Sequence, residues 1–117
     1  MKAVVIDIDT STGTRRIVPP GPVTVKRGER MAWICEELDI DILFDAGHNP
    51  FNPTHPYESN GHVQGKAGDF HTRRVRPASM GTPIPDNTRY KYNIKVLDQG
   101  GNVVDHLDPD VIVQGDK

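Results

Sequence analysis

Strict alternation of apolar and polar residues is the feature that most constrains this chain. Tyr90, Tyr92, Ile94 and Val96 take every second position, with Arg89, Lys91, Asn93 and Lys95 between them. Side chains that switch sides at each residue belong to a strand with one face on a core and the other in water. The same period runs through Val4, Ile6 and Ile8, through Met31, Trp33 and Cys35, and through Leu38, Ile40, Ile42 and Phe44. No stretch sustains helical periodicity. The closest, from Glu36 to Phe44, is itself alternating.

Turn signals separate these runs. Ser11-Thr12-Gly13 follows the first, Arg27-Gly28-Glu29 joins Pro22–Lys26 to Arg30–Cys35, and Gln99-Gly100-Gly101-Asn102 reads as a tight hairpin. A last strand, Val111-Ile112-Val113, follows Asp108-Pro109. Short strands at this spacing predict an all-β Greek-key sandwich of about seven or eight antiparallel strands. The chain of 117 residues has room for one such domain, residues 1–117. Met31, Trp33, Tyr90, Tyr92, Ile94 and the Val4, Ile6 and Ile8 face are its expected core.

The charge balance narrows the partners. A net charge of −2 offers no basic excess for phosphate backbones, so nucleic acid is not expected as a partner. No apolar stretch approaches the length of a membrane span. The N-terminal segment meets Asp7 after only four apolar residues, too few for a signal-peptide core, and Cys35 is the one cysteine. A cytoplasmic setting is the expectation.

One segment breaks the pattern. From about Ala46 to Thr72 the chain carries His48, His55, His62 and His71, is punctuated by proline, and shows little periodicity. Loops of that length in compact domains are commonly functional.

Two segments resemble the cupredoxin family. Pro22–Trp33 is similar to that family's strand, glycine turn and strand ending in an aromatic core residue. Tyr90-Lys91-Tyr92-Asn93-Ile94 is similar to the aromatic-x-aromatic-x-Cys run that leads into the copper loop. Between them, His48-Asn49 resembles the pair carrying the first copper histidine. The resemblance implies a cupredoxin-like sandwich and, in the same alignment, a lost copper centre. Ile94 stands at the cysteine position, and the second histidine position falls near Leu97. Blue copper needs a thiolate and imidazoles, which apolar side chains do not replace. Cys35, on the Trp33 strand, reads as a buried structural thiol.

Catalytic groups are not indicated. Ser79 lacks a nucleophile elbow, and an inward-facing Cys35 is poorly placed to react. The acids Glu36, Glu37, Asp39, Asp41 and Asp45 lack the spacing of a calcium loop, as do Asp105, Asp108 and Asp110. They are the expected internal counterpart of Arg73, Arg74 and Arg76, which decorate an exposed edge strand.

The reading is therefore a non-catalytic binding or assembly module on a copper-free cupredoxin-like scaffold, with its partner surface on the 46–72 loop. The partner is another protein or a neighbour in a homo-oligomer. Phe51, Tyr57, Phe70, Arg73 and Arg74 are its expected contacts, because exposed aromatics and arginines anchor interfaces. The alternative is a zinc- or copper-binding protein using His48 and His55, with His62 and His71 as further ligands.

Overall fold

The structure is a computed structural model that describes residues 2–8, 11–18, 21–45, 48–51, 62–79 and 83–115. Among them are eleven strands and no helix. In chain order they are β1 Lys2–Ile8, β2 Arg15–Val18, β3 Val23–Lys26, β4 Arg30–Cys35, β5 Asp39–Leu43 and β6 His62–Gly65. Then follow β7 His71–Arg74, β8 Thr88–Lys91, β9 Asn93–Leu97, β10 Val103–Leu107 and β11 Asp110–Gln114. They form three sheets in the orders β2-β1-β4-β7, β10-β9-β5-β6 and β3-β11-β8. The architecture is the all-β sandwich that the alternation pointed to.

The strand count exceeds the expected seven or eight partly because two long strands bend, each serving two sheets, and partly because β6 lies in a stretch read as loop. The Tyr90–Val96 run breaks at Tyr92 into β8 and β9, while Asp108-Pro109 separates β10 from β11. The breaks face each other, and the Tyr92 amide donates to the Pro109 carbonyl at 3.1 Å. Proline has no amide to give the ladder, so pairing is interrupted beside it. Below the bend, β11 pairs with β8 and adds β3 on its other side; above it, β9 pairs with β10 and adds β5. Nor is every pair antiparallel. β1 runs parallel to β4, and β3 parallel to β11.

The expected turns are in place. The Glu29 amide bonds the Lys26 carbonyl at 3.0 Å, with Gly28 at φ 83°, a conformation that only glycine adopts freely. Between β9 and β10, the Asp98 carboxylate accepts from the amides of Gly100 and Asn102 at 2.9 Å each. The bond from the Asn102 backbone, foremost, holds the Asp98 carboxyl below its usual range.

Inward residues of all three sheets meet in one core containing Val4, Ile6, Met31, Trp33, Ile40, Ile42, Tyr90, Ile94 and Val113. Ile8 lies on β1, but its side chain is outside the described residues. At the centre, Trp33 Nε1–H donates to the Tyr92 hydroxyl at 3.2 Å. Phe44 stacks on Tyr92 with centroids 4.3 Å apart, and Phe51 meets Phe44 edge-on at 4.8 Å. Burial pushes the Tyr92 phenol up to about 12, against a smaller lowering by the Trp33 bond.

That shift sets an alkaline limit on stability. The folded state holds the phenol proton more tightly than the unfolded state, so the contribution is complete below pH 10. It is lost as pH rises from 10 to about 12. The displacement corresponds to roughly 3 kcal/mol. Urea titrations at pH 8, 10 and 11.5 should show wild-type stability falling more steeply over the last interval than that of Tyr92→Phe. At pH 8 the variant should already be about 1–3 kcal/mol weaker, because the buried Trp33 donor loses its acceptor.

Candidate functional site

The 46–72 segment is less of a loop than its sequence suggests. β6 lies inside it and pairs with β5, setting Leu43 opposite His62 and Ile40 opposite Gly65. His71 and Thr72 already belong to β7, at the edge of the first sheet. These strands were illegible because each is four residues long and has too few apolar positions to display a period. Gly65 is where the backbone must come close. A Cβ there would lie 2.8 Å from both His71 Cδ2 and Ile40 Cγ1.

The histidines of this segment are distributed among separate environments. The His48 ring is exposed and lies against Tyr90 with centroids 4.6 Å apart. Its amide bonds the Asp45 carbonyl at 3.1 Å. The Tyr90 phenol is raised by burial and partly lowered by the nearby Arg76 guanidinium. His62 Nε2 bonds Asp41 Oδ1. His71 Nε2 accepts the Lys66 amide at 3.1 Å, which makes that nitrogen the unprotonated one. His55 and Tyr57 lie outside the described residues. Among the described residues, no three His, Cys, Asp or Glu side chains are grouped as a metal would require.

The donor set does not fit a blue-copper ion. Ile94 is fully buried on β9 between Ile42 and Leu107 and offers no donor atom. Leu97 is likewise a strand residue, opposite Asp39 and Val103. Cys35 is free and buried in β4, opposite Ile6. No reaction step through copper follows from these residues.

Phe51 requires a correction. It was expected at a partner surface, yet it is 1% exposed and packs on Trp33 and Phe44. The adjoining chain carries it inward: Phe51 bridges to Val75, and the Arg76 amide donates to the Pro50 carbonyl at 2.7 Å. Phe70 differs from Phe51 in its exposure. It directly precedes β7 and is 59% exposed.

The expected pairing of the acidic run with Arg73, Arg74 and Arg76 is also not what the structure shows. Arg73 Nη1 donates to the Thr72 carbonyl at 2.9 Å, and Arg74 Nε to the Gly28 carbonyl at 3.2 Å. Arg76 Nη1 reaches the Asn49 and Phe51 carbonyls at 3.4 and 3.5 Å. Asp39 pairs instead with Lys66, and Asp41 with His62. β5 and β7 lie in different sheets, so their charged residues do not share a face. Sequence reading also missed Arg30, which stands opposite Arg74 across the β4–β7 pair. Only the register reveals it.

No family model and no curated protein matches the chain. Among solved structures, it is similar to a methionine-to-alanine mutant of amicyanin in its Cu(I) form. That likeness has 17% identity and a TM-score of 0.48, and covers 96% of this chain and 82% of the other. A reduced Cu(I) form of a proline-to-glycine amicyanin mutant, at pH 4, is similar at 16% identity with a TM-score of 0.44. It covers the same shares of the two chains. The description of the fold rests on this chain's own strand order and register. No helix among the described residues is long and apolar enough to cross a membrane.

Phe51 should therefore behave as a core residue, and Gly65 as a point of close approach. Phe51→Ala should lower stability by about 3–5 kcal/mol in urea titration, as for other buried phenylalanines. Gly65→Ala should cost about 1–3 kcal/mol, because His71 and Ile40 must move.

Proposed function

We propose that this chain is a non-catalytic binding module whose partner surface lies along the β7 side of the sandwich. The supporting observation is Phe70, a phenylalanine left 59% exposed immediately before an edge strand ending in Arg73 and Arg74. A large apolar ring beside guanidinium groups is the composition of an interface anchor. Phe70 lies between β6, paired with β5, and β7, paired with β4, so the chain on both sides of it is tied to the sandwich. Rigid display reduces the entropy lost when a partner binds. The partner is another protein or a neighbouring copy of this chain. The free, buried Cys35 agrees with a cytoplasmic setting.

A second reading, a zinc or copper site using His48 with His55, draws support from the exposed His48 imidazole. Untagged protein stripped of metal and then offered zinc or copper would bind it stoichiometrically under that reading. Mutation of His48 and His55 to alanine would abolish the binding.

The binding-module reading is tested with Phe70→Ala. The variant should keep its melting temperature, because an exposed side chain contributes little to stability. It should also lose at least about tenfold in affinity for a partner captured by the wild type from its native source. A captured partner that holds Phe70→Ala and Arg73→Ala/Arg74→Ala as tightly as wild type would overturn the assignment of this surface.

A further inference from the structure

Arg30 opens β4 and Arg74 closes β7, and the antiparallel register sets the two directly opposite each other. Residues in that relation share a face of the sheet, with Cβ atoms about 5 Å apart. Both arginines are exposed. Like charges placed directly opposite destabilise a strand pair, and a neighbouring carboxylate is the ordinary remedy.

Among the described residues neither arginine has one. Arg30 Nη1 reaches only the Thr72 hydroxyl, at 3.4 Å, and Arg74 Nε the Gly28 carbonyl, at 3.2 Å. The nearest acid in sequence, Glu29, accepts the Lys26 amide on its Oε1 at 3.0 Å, and other acids are engaged or distant. Asp39 and Asp41 pair with Lys66 and His62, and Asp86 pairs with Arg27. Glu36 and Glu37 follow the far end of β4, about 20 Å of strand away from Arg30. Protection of an exposed edge explains one charge on β7. It does not explain a second charge facing the first from an interior strand.

We propose that Arg30 and Arg74, together with the Thr72 hydroxyl, receive the carboxylates of an acidic polypeptide segment. This rests on the reading of the β7 side as the partner surface and names the chemistry of the partner. Each guanidinium presents paired donors that match a carboxylate. A bound acid between the two converts their mutual repulsion into shared attraction. Phe70, at the start of the same strand, gives the polypeptide an apolar contact that a free ion would not use.

The test is a titration of ¹⁵N-labelled protein with an acetylated, amidated hexaglutamate peptide and, separately, with inorganic phosphate at matched ionic strength. The peptide should produce saturable amide shifts centred on Arg30, Thr72 and Arg74. Its affinity should fall at least about tenfold in Arg30→Gln and in Arg74→Gln, the loss expected for a charge-assisted contact. Absence of saturation, or shifts unchanged in both variants, would overturn the proposal. So would saturation by phosphate with none by the peptide, which would make this a small-oxyanion site. Retention of the Phe70-dependent partner by Arg30→Gln/Arg74→Gln would overturn the acidic-segment inference while leaving the partner surface standing. Loss of Phe70 dependence alone would do the reverse.

Discussion

The buried hydrogen bond from Trp33 to Tyr92 is the contact on which the rest of the sandwich converges. Trp33 comes from the sheet built on β1 and β4, and Tyr92 from the bend between β8 and β9 that supplies the opposite layer. Phe44, just beyond β5, and Phe51, which bridges to Val75 beyond β7, complete the cluster. Four otherwise separate stretches of chain thus meet through their aromatic rings. An indole N–H is costly to bury unsatisfied, and the Tyr92 phenol oxygen supplies its acceptor. The layers are held in one relative position because displacing either would strand a buried polar group.

The bend that brings Tyr92 to this place also explains the topology. A straight β8–β9 strand would keep the same neighbours along its whole length. With Tyr92 and Pro109 facing across the break, the hairpin exchanges neighbours half-way, taking β3 below and β5 above. Tyr90, Tyr92, Ile94 and Val96 nevertheless all stay buried. Side-chain alternation survives the break because the ladder changes sheets without slipping by a residue.

This is why the sequence was a better guide to the core than to the wiring. Val4, Ile6, Met31, Trp33, Tyr92 and Ile94 announced themselves by period, a local property that any strand must display. β2, β6, β7 and β10 did not. Most of their residues are exposed or half-buried, as all of Arg15–Val18 are, with Val63 and Gly65 of β6 the buried exceptions, so they show almost no apolar alternation and pairing partners make them strands. The same limit governs the site. Phe70 and Phe51 look alike in sequence, each an aromatic in a proline-punctuated segment, yet one is exposed and the other lies in the core. Deciding between them takes the Phe51–Val75 bridge, a contact across 24 residues of chain. The Arg30–Arg74 opposition is hidden for the same reason, since it exists only once β4 and β7 are paired.

Phe51 fixes its own stretch of chain through the core, beside Val75. Ligation fixes a loop by joining its side chains to an ion and thereby links local order to metal occupancy. Burial of Phe51 fixes its position through the core, so order at that residue is linked to folding itself. Ile94 packs in the same core, buried between Ile42 and Leu107. Phe70, Arg30 and Arg74 stay exposed outside that core, so its packing does not dictate their identity.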